Sequence, residues 1–433
     1  MGGGGNARLP ETRSVDFPRA ERYGFSGMEC SLDGMSKTCR RGPRSAGPWR
    51  LLLLVLVPGC VIPISTASPS ADAGADAGDG SVGTTTAGDE GGASVPTGSW
   101  SSVAANLAGM PSQCGNMSYV SAKPDEDLLI AGIALDGLWA SRDGGGSWQA
   151  LGPGSDASAP ITNRTSSIVY DPQDTTRYWE SGIYNAGGVY ETTDDGATFI
   201  ELGDVHHCDL VSIDFTDPNR QTLLAGGHEQ SQTLYRSTDG GMTWSPVGGS
   251  LPPNTNCTFP LVIDVQTHLV GCGGYGGGAT GVYRTTDGGS TWTSTTTLGG
   301  TNAPLVASDG SIYWSSAGAT GLARSTDQGQ TWSSVVASPN VLGSYTPIEL
   351  PDGRIATIGP SSGTQYVLVS ADHGVTWSPA SAALPSSYSP VGVAYSSQRK
   401  AFFVWHFTCA TTQGNDPVPS DAVISFAFDY QTN

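Results

Sequence analysis

Basic residues are scarce in this chain. Only 20 Lys and Arg stand against 39 Asp and Glu, for a net charge of −19. Nine of the basic residues precede Ser65, which leaves 11 against 34 acidic ones over the remainder. No basic face of any size can be assembled there, which argues against nucleic acid as a partner. Long apolar runs are missing too. The longest, Leu51–Val57, is well short of the roughly 20 residues that a membrane-spanning helix needs. There is no phosphate loop, dinucleotide fingerprint or Gly-x-Ser-x-Gly elbow, so no cofactor and no hydrolase nucleophile of that kind is expected. With 14% charged residues and 60 glycines, the composition suits a turn-rich all-β chain rather than a helical one.

The short apolar run has a use of its own. Arg40, Arg41, Arg44 and Arg50 precede it and Pro58-Gly59-Cys60 follows, the order of a secretory signal. Val57-Pro58-Gly59-Cys60 resembles a bacterial lipobox, which implies acylation of Cys60 and an exported, lipid-anchored protein of the cell envelope. Residues 35–60 are therefore expected to be a signal peptide, with 1–34 an N-terminal extension preceding the true start. Residues 61–97 are Ala, Asp, Gly, Ser and Thr for the most part, too little apolar surface to offset chain entropy, and read as an acidic tether. Five cysteines remain beyond it: Cys114, Cys208, Cys257, Cys272 and Cys409. An exported chain can oxidise them, and the odd number leaves a thiol over.

One eight-residue pattern, Ser/Thr-x-Asp-x-Gly-x-Thr/Ser-Trp/Phe, occurs six times. The copies are anchored by Ser141, Asp143, Gly145 and Trp148; Thr192, Asp194, Gly196 and Phe199; Ser237, Asp239, Gly241 and Trp244; Thr285, Asp287, Gly289 and Trp292; Ser325, Asp327, Gly329 and Trp332; and Ser370, Asp372, Gly374 and Trp377. Successive aspartates lie 51, 45, 48, 40 and 45 residues apart, the period of a propeller. Each box is preceded by three β-rich runs and followed by a fourth, which is one blade. The Asp can accept backbone N–H groups within the turn, the Gly allows a conformation costly to other residues, and the Trp packs into the blade. Six equivalent turns cannot converge on one ligand, so the boxes are expected to be structural.

After Trp377 three strand-like runs remain without a box, and Gly98–Val103 reads like a displaced outer strand. The domain, residues 98–433, is thus expected to be all-β: a seven-bladed propeller of four-stranded antiparallel blades whose last blade is completed by the N-terminal strand. Cys114 with Cys409 at this seam, and Cys257 with Cys272 flanking the first hairpin of blade four, are the candidate disulfides.

These boxes resemble the Asp-box (BNR-repeat) propeller superfamily, which holds sialidases, two-propeller xyloglucanases, sortilin-type receptors and photosystem II assembly-factor-like proteins. The resemblance covers about residues 98–433 and implies the fold, not an activity. A sialidase would need three clustered arginines. Arg177, Arg220, Arg354 and Arg399 fall in first-to-second strand turns, and Arg142, Arg236, Arg284 and Arg324 lie beside boxes. Both sets belong to the face opposite the usual ligand-binding mouth, so no sialidase is expected. A xyloglucanase cleft would need a second propeller.

The mouth face is built from loops between the outer strand of one blade and the inner strand of the next, together with second-to-third strand loops. His206, His207, Asp209, His228 and Glu229 map there and are the acid/base candidates. Asp136, Arg164, Tyr184, Tyr275, Tyr345, Tyr388 and His406 are candidate ligand-binding residues, since tyrosine offers a sugar both an apolar face and a polar tip. Cys208 sits in the same cluster, but no metal site is assigned. His268 and His373 are placed in turns of the opposite face and given no role. The expected function is binding of a glycan or surface protein by a monomer. A polysaccharide hydrolase or lyase is the alternative, and a scaffold for a surface complex the third reading.

Overall fold

The computed structural model describes residues 29–31, 38–40, 95–113, 116–152, 161–185, 187–273, 278–316, 322–335, 345–361, 363–409 and 416–432. The chain divides into two units, Met1–Thr86 and Ala87–Asn433. In the first, strands Glu29–Ser31 and Thr38–Arg40 pair antiparallel. The rest of the 35–60 signal segment, Cys60 included, and most of the tether lie outside the described residues.

The second unit is a seven-bladed β-propeller of four-stranded antiparallel sheets. From the inner strand outward, blade one comprises Met117–Ala122, Leu129–Ile133, Gly137–Ser141 and Gln149–Ala150. Blade two comprises Arg164–Tyr170, Tyr178–Ile183, Val189–Thr192 and Ile200–Glu201, and blade three Cys208–Ile213, Leu223–Gly227, Leu234–Ser237 and Ser245–Pro246. Blades four, five and six begin at Cys257, Leu305 and Ile348 and end at Thr296, Val335 and Pro379. The outer strands are shorter than their sequence patterns suggested, because the Thr-Trp pair before each one belongs to the box. Second strands such as Tyr178–Ile183 and Leu223–Gly227 are buried along their whole length. They are packed on both faces by neighbouring blades, which is why they lack the alternation of a half-solvated strand.

Blade seven joins the two ends of the domain. Gly392–Ser396, Ala401–Trp405 and Val423–Ala427 take Ser101–Ser102 as their outer strand. Ser101 pairs with Ser425 and Ser102 with Ile424, and Val103 N–H donates to Val423 O at 3.0 Å. Trp100 fixes this strand from its other side. Its ring lies 5.2 Å from that of Phe426, and its indole N–H donates to Ala382 O in the segment leaving blade six.

All six boxes share one hydrogen-bond scheme. In the first, Ser141 Oγ donates to Asp143 Oδ1 at 2.8 Å and accepts Gly145 N–H at 2.8 Å. Asp143 then accepts Ser147 N–H at 2.8 Å and Ser147 Oγ–H at 2.7 Å. The Ser147 contacts and Ser141 hold the Asp143 carboxyl down to about 2, because each donor favours the charged form. Gly145 has φ +88°, and a Cβ there would lie 2.6 Å from Val103 O. Glycine is needed for the turn conformation and for close approach to the next sheet.

The tryptophans reach further than expected. Trp148 donates to Val103 O, Trp244 to Leu202 O and Trp292 to Val247 O, at 3.0, 2.9 and 2.8 Å. Trp332 donates to Thr295 Oγ1. Each acceptor sits on or next to the outer strand of the preceding blade, so these indoles clamp neighbours together rather than filling their own blade. Trp377 differs, donating to its own Gly374 O.

The basic residues of this face do similar work. Lys123 in blade one reaches Asp195 in blade two, and Arg220 in blade three bonds both oxygens of Asp171 in blade two at 2.8 Å. Arg236 donates to Val265 O, Arg284 to Gln328 O, Arg354 to Tyr430 O and Arg399 to Asp127, each on the following blade. Between blades five and six, Ser308 donates to Glu349. Every junction therefore carries a polar link on the box face, and the arginines are engaged there.

Cys257 and Cys272, register partners in blade four, form a disulfide. Cys409 is disulfide-bonded as well, while Cys114 lies outside the described residues. Among the described residues Cys208 is a free thiol, fully buried, and burial pushes it up to about 12, leaving it unreactive.

Two outcomes are expected. Deleting residues 98–104 removes the closing strand and the Trp100 and Val103 contacts, and should lower unfolding stability by roughly 3–5 kcal/mol; an unchanged melting temperature would refute closure. Asp171→Ala strands the buried Arg220 charge and should cost about 3–5 kcal/mol in urea unfolding. The double variant Asp171→Leu/Arg220→Met should recover most of that loss.

Candidate functional site

Three mouth-face loops around blades two and three meet at one point. The second-to-third strand loop of blade two carries Tyr184, the loop entering blade three carries His207, and His228 directly follows the second strand of blade three. Their backbones are tied directly, with His228 N–H donating to His207 O at 2.6 Å and His207 N–H to Gly187 O at 2.8 Å. Tyr184 N–H donates to His207 Nδ1 at 3.4 Å. Tyr184, Asn185, His207 and Glu229 all have φ between 44° and 55°. Left-handed backbone is costly for such residues and gathers where surrounding structure imposes it, commonly at functional sites.

The side chains continue the convergence. Asp209 Oδ1 is 2.9 Å from His228 Nδ1, and both side chains are 5% exposed. A carboxylate can only accept, so it fixes the proton on Nδ1 and leaves Nε2 as an acceptor. Nε2 lies 3.1 Å from the Tyr184 hydroxyl, which donates to it. Tyr184 is 36% exposed, so the chain Tyr184–His228–Asp209 runs from solvent into the interior. Its ring stands edge-on to those of His207 and His228, each at 5.3 Å. Glu229 Oε1 is 3.7 Å from His228 Nε2 and largely exposed. Burial raises the pKa of the Tyr184 phenol, Glu229 adds to the rise and the Arg164 charge opposes it. Chemically this is a hydroxyl with a base behind it and a carboxylate orienting that base.

Four of the five acid/base candidates thus gather around Tyr184, whereas His206 is exposed and takes no part in the described contacts. Arg164 pairs in register with Ile183, the residue before Tyr184, and its guanidinium lies 4.6 Å from the Phe407 ring centroid. Asn185 donates to Gln113 beside it. Asp136 occupies the corresponding turn of blade one, where burial raises its carboxyl. Tyr388, in the loop entering blade seven, lies with its ring tilted 44° to that of His406 at 4.3 Å. The Tyr388 hydroxyl is turned inward to Val404 O, and His406 Nε2 faces Asp421 at 3.3 Å. Tyr345 is half-buried and accepts from Gln365. Tyr275 lies outside the described residues. Among the described residues no three His, Cys, Asp or Glu side chains are grouped to hold a metal ion.

One histidine needs relocating, and a second keeps its place in a box turn. His268 begins the second strand of blade four, not a turn, and is fully buried; burial pushes it down to about 4, so it stays neutral. His373, in the sixth box, faces Asp309 and Tyr313 of blade five and belongs to the junction links.

Sequence reasoning missed Glu180. It sits fully buried in the second strand of blade two, where Asn163 Nδ2 donates to it at 3.2 Å. Burial pushes its carboxyl up to about 8 against the hydrogen bonds of Asn163 and Thr165. A lone acid in the otherwise strand-forming run Tyr178-Trp-Glu-Ser-Gly-Ile was the available signal.

With this geometry in hand, the BNR/Asp-box repeat family model matches residues 235–246 and 323–334, the third and fifth boxes. The repeats are BNR/Asp-box repeats. The Asp-box propeller superposes on a GH74 enzyme of Niastella koreensis with a TM-score of 0.52 and 17% identity, over 71% of this chain and 52% of that one. A GH74 xyloglucanase from Xanthomonas campestris gives 0.48 and 16%, over 75% and 55%. YCF48 from Cyanidioschyzon merolae gives 0.38 and 14%, over 62% and 97%. The first likeness is one of fold, and the chain spans about half the length of that enzyme. No curated protein sequence matches the chain.

Glu180 yields a pH prediction with a definite sign. Its folded value lies above the unfolded one of about 4.3, so the folded state holds the extra proton and stability falls as pH rises between the two. Glu180→Gln should raise the melting temperature more at pH 8 than at pH 5. An equal shift at both would show that Glu180 does not titrate in this range.

Proposed function

We propose that this chain is an exported, lipid-anchored propeller that engages glycans at its mouth face, around the junction of blades two and three. The observation that carries the reading is the half-exposed Tyr184, held over His207 and His228 by loops in left-handed conformation. A rigid aromatic ring with hydrogen-bonding neighbours offers a sugar its apolar face and polar rim. Arg164 and Glu229 add charges of both signs within the same loops. The signal-like N-terminus, the lipobox resemblance and the acidic tether support an extracellular location.

A second reading, turnover of the bound glycan, is favoured by the Tyr184–His228–Asp209 chain. A binding surface alone has no need of a buried carboxylate orienting a histidine beneath the contact residue. The boxes take no part in either reading, because their aspartates are fully engaged within their own turns.

The test is a glycan-array screen of the full chain, paired with reducing-end release from the polymers it binds. Glycan binding is expected, weakened about tenfold by Tyr184→Ala, which corresponds to loss of one good contact. Met242→Glu, at an exposed box tip on the opposite face, should leave it unchanged. Absence of both binding and release across the array, or equal losses from the two variants, would overturn the reading.

A further inference from the structure

We infer that the mouth site cleaves uronate-containing polysaccharides by β-elimination, with Tyr184 as the base and Arg164 as the carboxylate-binding group. This rests on the reading that the mouth engages glycans and assigns that site a substrate class and a reaction.

The cluster is equipped to move one proton. Tyr184 donates to His228 Nε2 at 3.1 Å, and Asp209 holds Nδ1 at 2.9 Å. Transfer of the phenol proton to His228 leaves a phenolate at the solvent boundary and an imidazolium stabilised by Asp209, the arrangement that activates a hydroxyl in a catalytic triad. A phenolate can serve as the general base. Hydrolysis would call instead for two carboxyl groups facing each other across a sugar. This cluster presents one solvent-facing carboxylate, Glu229, since Asp209 is sealed behind His228.

Elimination needs a different second element, a cation beside the carbon that loses its proton. Arg164 supplies it. It lies in register with Ile183, adjacent to Tyr184 in the chain, its guanidinium is seated against Phe407, and its charge is felt at the Tyr184 hydroxyl. Bidentate pairing with a uronate carboxylate would stabilise the charge that develops as the adjacent C–H bond breaks.

The step balances without a co-reactant. The Tyr184 phenolate takes the C5 proton, the C5–H electron pair becomes the C4=C5 double bond, and the C4–O4 bond breaks with its pair on O4. Water on the O4 face gives the departing oxygen its proton, and the His228 imidazolium releases its own to solvent, which returns Tyr184 and His228 to their starting state. Asp209 acts as a positioning residue. Because the chain carries −19 overall, an anionic polymer is repelled at long range, and moderate salt should speed turnover by screening.

The experiment incubates the full chain with polygalacturonate, alginate and hyaluronan, and with xyloglucan as an uncharged control. Ultraviolet absorbance of the conjugated double bond is followed beside reducing-end release. Absorbance and reducing ends are expected to rise together on a uronate polymer and not on xyloglucan. Tyr184→Phe, which keeps the ring, should cut the rate at least about a hundredfold. Arg164→Gln should lower turnover of polygalacturonate about tenfold more than that of its methyl ester, whose carboxyl carries no charge. Reducing ends without absorbance would overturn elimination and leave the glycan reading intact. Glycan binding with no product from any uronate polymer would do the same. Absence of both binding and product would overturn the two together, and full activity in Tyr184→Phe would remove the assigned base.

Discussion

The ring stands on contacts between neighbouring blades, and the most exacting is the approach of each box to the sheet before it. Gly145 and Gly241 turn where a Cβ would strike Val103 O or Leu202. In the same places the indoles of Trp148 and Trp244 donate to those segments' carbonyls. The carboxylate inside the turn is thus a means to an end. It makes the hairpin stiff enough to present a glycine and a tryptophan to another sheet. The ion pairs on the same face, above all the buried Arg220–Asp171 pair, fix how far each blade can rotate against the next.

Much of this was legible because the repeat sets a register. Six boxes and the three strand-like runs after Trp377 gave the blade count, and the resemblance of Gly98–Val103 to a strand following a box gave the closure, both of which the structure shows. The same register placed the arginines on the box face, where they serve junctions. The reach of the indoles was not legible, since a pattern says which residues recur and not which neighbour they touch. His268 was misplaced for a similar reason: strand ends shift by a residue or two, and a buried neutral histidine looks the same in sequence as a solvated one.

The mouth site was legible in parts. His207, Asp209, His228 and Glu229 cluster along the chain and could be grouped. Tyr184 was chosen as a sugar platform, but its bond to His228 spans two blades and depends on three loops held in left-handed conformation. No spacing rule encodes that. Glu180 was overlooked because its neighbours make an ordinary strand, and only burial reveals that its carboxyl is costly to ionise.

Completion of blade seven by Ser101–Ser102 also sets an order in time. The first strand of the propeller to leave the ribosome belongs to the last sheet to close, since its partner strand Val423–Ala427 is made more than 300 residues later. At roughly 5–20 residues per second of synthesis, that interval is tens of seconds. During it blade one has no finished neighbour on its open side, and the edge that will receive the closing strand does not yet exist. A chain that must also cross a membrane would meet the same constraint on the far side, where the ring can close once the C-terminus has arrived.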